Sequence, residues 1–230
     1  MSFRVLFGFS GKALIGGGIL LALGYALTSV LMPLDLIAMF SNPLTLIGYV
    51  LRIVGATFVL LGLPAVFVRQ AQTARLVKLS FLGVVLTFLG IAVIEVSMNS
   101  INAFIFPPLA TNPATQALFI SMDANRPMGA SVAFVVGLLC EMIGPPLLGI
   151  AILRTKVLPR LAGWVLVFLP LSTFLGLPDY LVYQAVLGVI VAIMLGLSFA
   201  LCGTGLLSYQ DPESGSSVSE TEPQREAMKV

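Results

Sequence analysis

Residues 91–106 read IAVIEVSMNSINAFIF, an apolar stretch that carries three strongly polar side chains, Glu95, Asn99 and Asn102. Spacings of four and three residues place these side chains on one face of an α-helix. A carboxyl group and two amides are costly in lipid, so they normally face neighbouring helices instead of the hydrocarbon. The stretch therefore predicts a membrane helix with one polar face that packs inside a helical bundle.

The composition of the whole chain agrees with that prediction. Of its 230 residues, 58% are hydrophobic and 10% are charged, whereas soluble globular domains contain about 25% charged residues. The chain has no histidine, which excludes imidazole-based metal, haem and acid–base chemistry. The basic residues are dispersed between apolar runs and form no stripe, so we expect no nucleic-acid partner.

Hydropathy divides the chain into six apolar runs. A helix needs about 20 apolar residues to cross the hydrocarbon core of a bilayer. We therefore predict an all-α integral membrane protein, a bundle of six transmembrane helices in one domain, residues 1–208. In the longest connection, residues 114–122 are predicted to form a short helix at the interface or folded over the bundle. The predicted spans are 13–32, 44–68, 79–106, 128–153, 161–177 and 180–208.

The basic residues fall almost entirely on one side of this topology. Ten of them lie near the two termini or in the loops after the second and fourth spans, and Arg126 lies on the other side. Because basic loops favour the cytoplasm, both termini are predicted to be cytoplasmic. We expect a multi-pass protein of the bacterial inner or plasma membrane. Residues 209–230 are polar and net acidic, and we predict a disordered cytoplasmic tail.

The first span contains glycines that predict close helix packing. Gly17 and Gly24 lie seven residues apart on one helical face. In lipid, small residues at an interface allow two backbones to approach closely. We interpret this face as a packing seam and not as a ligand site.

Three ionisable residues lie within the predicted spans, namely Arg52, Glu95 and Glu141. Counted from the outer end of each span, they are about 8, 11 and 13 residues deep, or roughly 12, 17 and 20 Å. They can therefore meet in one layer of the bundle. There Arg52 would neutralise one carboxylate while the other stayed protonated. The sequence does not decide which acid is the partner of Arg52.

The helix that carries Glu141 is predicted to be interrupted just after it, at Gly144, Pro145 and Pro146. Proline has no N–H, so the carbonyls of residues 141 and 142 lose their helical partners. A carboxyl group beside freed carbonyls is typical of the broken helices of transporters. An ordinary proline kink has the same sequence, and both interpretations are kept.

Two classes of function are consistent with these residues, and no family motif is recognised. The first is a permease-like protein that binds a small solute, a proton or a cation along a pathway formed by Arg52, Glu95, Asn99, Asn102 and Glu141. The alternative is a non-transporting assembly or sensor protein in which the cluster is a structural ion pair. An intramembrane enzyme is disfavoured because no DxxD-like cluster is present, so we predict no catalytic residues, no cofactor and no metal site. The lipid bilayer is the one partner that the sequence predicts.

Overall fold

The computed structural model describes residues 3–31, 35–73, 76–124, 128–175 and 181–208. These residues are almost entirely helical and include no β-strand, so the predicted all-α class is confirmed. In chain order the helices are α1 (Phe3–Leu31), α2 (Leu36–Ser41), α3 (Pro43–Ala71), α4 (Val77–Gly90), a π-helix (Ile91–Met98), α5 (Asn99–Phe104), α6 (Phe106–Thr111), α7 (Gln116–Ala124), α8 (Met128–Thr155), α9 (Arg160–Leu175) and α10 (Leu181–Leu207).

Five helical segments of the described chain are long and apolar enough to cross a membrane, so the protein is membrane-embedded. A further apolar helix, α9, has 16 residues. At about 1.5 Å per residue it is roughly 24 Å long, shorter than the hydrocarbon core of about 30 Å. The five segments are Arg4–Leu31, Pro43–Ala71, Val77–Thr111, Ser131–Thr155 and Val186–Leu207.

Helix boundaries depart from the predicted spans mainly at the N-terminus. Helix α1 begins at Phe3, well before the predicted start at residue 13. Phe7 and Ser10 are buried, so the first turns of α1 already pack against the bundle. Helix α3 begins at Pro43, where the side chain of Asn42 accepts a hydrogen bond from the N–H of Leu44 at 3.0 Å and caps the helix. The predicted tail, 209–230, lies outside the described residues.

The long helices form a closed ring in chain order. Helix α1 packs between α3 and α10, and α3 packs on the segment made of α4, the π-helix and α5. Helix α4 packs on α8, α8 on α9, and α9 on α10. Contacts across the ring are sparse and join α3 to α8 and α10. The ring therefore leaves space at its centre.

Pairs of facing glycines hold α1 against its two neighbours. A Cβ added at Gly18 would lie 2.5 Å from the carbonyl oxygen of Gly196. In lipid, no hydrophobic driving force brings helices together. Close van der Waals contact between backbones stabilises their packing instead. The packing seam predicted from Gly17 and Gly24 is confirmed. The facing pairs are Gly17–Gly55 and Gly24–Gly48 between α1 and α3, and Gly11–Gly203 and Gly18–Gly196 between α1 and α10.

One end of the ring, which we call the basic face, holds the starts of α1, α4 and α9 and the ends of α3, α8 and α10. The half of the ring nearest this face is filled by apolar side chains, among them the fully buried Leu14, Leu63 and Leu148. No open passage is therefore expected through this half. The described basic residues at this face are Arg4, Lys12, Arg69, Lys78, Arg154, Lys156 and Arg160.

Three short helices, α2, α6 and α7, fold over the opposite end of the ring, which we call the capped face. Phe40, Phe106 and Phe119, one from each helix, pack edge to face with ring centroids 5.2 to 5.6 Å apart. Phe119 is fully buried. The short helix predicted at residues 114–122 is thus present as α7 and is folded over the bundle, whereas α2 and α6 were not predicted.

Candidate functional site

The centre of the ring holds an ion pair between α3 and the π-helix. The Nε atom of Arg52 donates a hydrogen bond to Oε2 of Glu95 at 3.0 Å, and Nη2 donates to Oε1 at 3.0 Å. The Glu95 side chain is fully buried, and that of Arg52 is 12% exposed. This bidentate geometry satisfies a guanidinium and a carboxylate at once. The structure thus selects Glu95 as the partner of Arg52.

Two further side chains complete the hydrogen bonding of Glu95. The hydroxyl of Tyr25 on α1 donates to Oε1, and Nδ2 of Asn99 donates to Oε2 at 3.0 Å. The guanidinium carbon of Arg52 lies 3.7 Å from the centroid of the Tyr25 ring, a cation–π contact. Each carboxylate oxygen of Glu95 therefore accepts two hydrogen bonds, and its charge is compensated.

The π-helix places Glu95 in this position. π-Helices are rare and occur frequently at functional sites. The wider turns of this π-helix allow the Ser97 hydroxyl to donate to the carbonyl of Ala92, five residues earlier, at 3.0 Å. Just before the π-helix, a Cβ added at Gly90 would lie 2.7 Å from the backbone nitrogen of Glu141. This close approach brings α8, and with it Glu141, against the start of the π-helix, five residues before Glu95.

A cavity of about 540 Å³ lies beside the ion pair, inside the ring. All six long segments of the ring contribute to its wall. Its volume falls within the range of about 300 to 1,000 Å³ that is typical of small-molecule sites, which are mostly apolar with a few polar groups. The polar side chains of the lining are Tyr25, Thr28, Ser29, Tyr49, Arg52 and Glu141, and the apolar ones include Phe134, Leu138, Leu169, Leu187, Val191 and Leu195.

Glu141 lines this cavity from α8. Its side chain is partly exposed and has no hydrogen-bond partner among the residues that the structure describes. Glu95 and Arg52 lie within electrostatic reach of its carboxyl group. Because Glu95 already neutralises Arg52, an ionised Glu141 adds one uncompensated negative charge to the cavity.

The predicted site residues are brought together except for Asn102. Arg52, Glu95 and Asn99 are in direct contact, and Glu141 lines the same cavity as Arg52. Asn102 is half-buried and makes no hydrogen bond within the described part of the chain. Asn102 lies seven positions after Glu95, in α5, whereas Glu95 lies in the π-helix, so the α-helical spacing that predicted one shared face does not hold between them.

Helix α8 runs through Gly144, Pro145 and Pro146 as one continuous element. The expected interruption is thus not a break in the helix, although the prolines still cannot donate hydrogen bonds. Gly144 has a packing role, because a Cβ at this position would collide with the backbone of Thr87 on α4. Gly144 and Gly90 therefore let α8 and the segment Val77–Thr111 approach each other closely.

Tyr25 and Tyr49 belong to the site and were not predicted. Tyr25 lies six residues before the end of α1 at Leu31, about 9 Å along the helix. Arg52 lies at a similar depth in α3, nine residues after Pro43. A phenol inside an apolar span normally finds a hydrogen-bond partner, so the depth of Tyr25 was the signal that it reaches the polar cluster, where its hydroxyl donates to Glu95.

No protein-family model matches the chain, and no curated protein or solved structure matches it either. The function is therefore argued from the ring, the ion pair and the cavity.

Proposed function

We propose that this protein is a permease-like membrane protein that binds a small solute or ion in the cavity inside its helical ring. The observation that carries the proposal is Glu141, an acid without a hydrogen-bond partner among the described residues, on the wall of a cavity of about 540 Å³. An acid facing lipid inside a bilayer costs at least about 2.5 to 3.5 kcal/mol. Glu141 avoids lipid by facing the cavity, where a ligand can reach it. We propose no enzymatic reaction.

The proposal includes six spans with both termini in the cytoplasm of a bacterial cell. Helix α9 is apolar and packs between α8 and α10 in the ring, which supports a sixth crossing despite its length. The excess of lysine and arginine at the basic face supports a cytoplasmic location for that face. On this topology the cavity lies in the outer half of the membrane, because Met39 of α2, at the capped face, belongs to its wall.

A second candidate is a non-transporting assembly or sensor protein. The complete hydrogen bonding of Glu95 by Arg52, Tyr25 and Asn99 favours a structural role for this ion pair. A buried pair of this kind can fix the packing of neighbouring helices. It does not explain Glu141, which has no such partners in the described part of the chain.

The two candidates are separated by filling the cavity. Leu138 lines the cavity, whereas its neighbour Leu139 is 52% exposed on the outer surface of the ring. Purified protein is reconstituted in liposomes and assayed for uptake of a panel of amines, amino acids, sugars and organic acids. We expect Leu138→Trp to abolish the uptake of any solute that the wild type carries, and Leu139→Trp to leave it intact. If no solute is taken up by the wild type, or if uptake survives Leu138→Trp, the permease proposal fails.

A further inference from the structure

We infer that the ligand of this cavity is a monovalent organic cation with an apolar body, and that the Glu141 carboxylate is its counter-ion. The inference rests on the proposed function, because it names the ligand class of the same cavity. It follows from the charge, the lining and the shape of the cavity.

When Glu141 is ionised, the charges that line the cavity leave one negative charge unmatched. Arg52 and Glu95 form a bidentate pair and sum to zero. The other titratable groups of the described lining are Glu141 and the phenols of Tyr25 and Tyr49, and phenols carry no charge near neutral pH. Uncompensated charge is costly in a medium of low dielectric constant. One positive charge on the ligand makes the site neutral when Glu141 is ionised.

The same contacts disfavour an anionic or zwitterionic ligand. Nε and Nη2 of Arg52 both donate to Glu95, and the guanidinium lies 3.7 Å from the Tyr25 ring centroid. A ligand carboxylate would compete with Glu95 for the positive charge of Arg52. Glu95 has no other basic partner among the described residues. A zwitterion has no net charge, so its binding would leave the net charge of the site unchanged. We therefore expect a zwitterion to bind more weakly than a cation.

The lining disfavours a divalent metal ion. Calcium and magnesium ions need about six or more oxygen ligands. Among the described residues, no three acidic, cysteine or histidine side chains are grouped so that they could hold a metal ion. Most of the cavity wall is apolar, and it can contact the hydrocarbon part of an organic cation.

The lining residues of the cavity form two rows, on α8 and α10, with the acid near the inner end of its row. Phe134, Leu138 and Glu141 share one face of α8, because they are spaced by four and three residues. Leu187, Val191 and Leu195 face them from α10 at spacings of four residues. Glu141 and Phe134 are seven residues apart, about 10 Å along the helix. A ligand of this length places its ammonium group at Glu141 and its apolar body against Phe134, toward the capped face.

Four phenyl compounds of similar size and different charge test the inference. They are 2-phenylethylamine (cation), 2-phenylethanol (neutral), phenylacetate (anion) and phenylalanine (zwitterion). Their binding to the full chain in detergent is measured by isothermal titration calorimetry at neutral pH. We expect the amine to bind at least about tenfold more tightly than the other three compounds, because hydrogen bonds between charged groups are the stronger ones.

Three variants assign the binding to its residues. Glu141→Gln should weaken binding of the amine by about tenfold or more and leave 2-phenylethanol unchanged, because it removes the charge and keeps the size. Glu141→Asp keeps the charge and should keep the preference for the amine. It is the control for a folding defect in Glu141→Gln. Leu138→Trp should abolish binding of both compounds, whereas Leu139→Trp should change neither.

The outcomes distinguish the inference from the function on which it rests. If 2-phenylethanol binds as tightly as the amine and Leu138→Trp abolishes both, the cavity binds solutes but the cation assignment is wrong. Tightest binding of phenylalanine would show that Arg52 exchanges partners, and this also overturns the inference. If the amine fails to bind at millimolar concentration, or binds Glu141→Gln equally well, Glu141 is not its counter-ion. Binding that persists unchanged in Leu138→Trp contradicts both the inference and the proposed function.

Discussion

The Nε and Nη2 atoms of Arg52 each donate to a different carboxylate oxygen of Glu95, both at 3.0 Å and across 43 positions of sequence. Tyr25 donates to the same carboxylate from a third helix. Three consecutive members of the helical ring, α1, α3 and the π-helix segment, are thus joined at one depth. Glu141, by contrast, lines the cavity and has no hydrogen-bond partner among the described residues.

Removing Arg52 should destabilise the protein strongly. Arg52→Ala leaves the buried Glu95 carboxylate without its cation, at a cost on the order of 3 to 5 kcal/mol. Adding Glu95→Gln should recover part of that loss, because the remaining donors then face a neutral amide. The free energy of unfolding is measured by denaturant titration in detergent.

The matched control for this double variant is Arg52→Ala with Glu141→Gln. Glu141 makes no contact with Arg52 among the described ion pairs, so this second change should recover less stability than Glu95→Gln does. An equal or greater recovery with Glu141→Gln would show that Arg52 pairs with Glu141 in solution.

The hydroxyl of Tyr25 should contribute to stability through Glu95. Tyr25→Phe removes one of the four hydrogen bonds to the buried carboxylate, and hydrogen bonds to charged groups contribute about 1.5 to 3 kcal/mol each. Tyr49→Phe is the control, since the Tyr49 hydroxyl has no hydrogen bond in the described part of the chain, and its effect should be much smaller. Thermal unfolding of both variants measures the difference, and equal melting temperatures would argue against the contact.

Apolar runs and helical spacing predicted most of this architecture. The depth count correctly placed Arg52, Glu95 and Glu141 together, because helices of regular rise convert sequence position into depth. The spacing of Gly17 and Gly24 likewise predicted a packing seam, since a repeat of seven residues keeps one face of a helix in contact, and the structure places this seam against α3.

The parts that sequence did not predict depend on long-range contacts or local irregularity. The π-helix that carries Glu95 has the same apolar pattern as an α-helix, so hydropathy cannot reveal it. The short helices α2 and α6 form because Phe40 and Phe106 pack on Phe119, a contact between distant segments. The sequence also left the partner of Arg52 undecided. Glu95 and Glu141 lie at similar depth, and only a contact between distant segments distinguishes them.

The glycine seam between α1 and α10 should tolerate no side chain. In Gly18→Ala the new Cβ would lie 2.5 Å from the carbonyl oxygen of Gly196, and the helices must separate, at a cost of about 1 to 3 kcal/mol. Gly16→Ala is the matched control in the same helix, because nothing lies within 4 Å of its added Cβ. It should be neutral or slightly stabilising, as alanine favours helix over glycine. Equal stabilities in a thermal unfolding assay would show that the seam is loose.

The proposed topology predicts which loops an impermeant thiol reagent reaches in intact cells. In a chain with Cys140 and Cys202 replaced by alanine, Thr115→Cys at the capped face should be labelled from outside. Thr73→Cys and Thr155→Cys, at the basic face, should be labelled after the cells are permeabilised. The reverse pattern would place both termini outside.

The decisive question is whether water and small solutes reach the cavity wall beside Glu141. Leu138→Cys and Leu139→Cys, in the same cysteine-free background, are reconstituted in liposomes and treated with a small cationic methanethiosulfonate on both sides. The reagent needs a hydrated thiolate, so Leu138→Cys on the cavity wall should react, and Leu139→Cys, 52% exposed on the outer surface of the ring, should be shielded by lipid. Excess 2-phenylethylamine should slow the first reaction. If Leu138→Cys reacts no faster than Leu139→Cys, the cavity is dry, and the cluster serves packing instead of ligand binding.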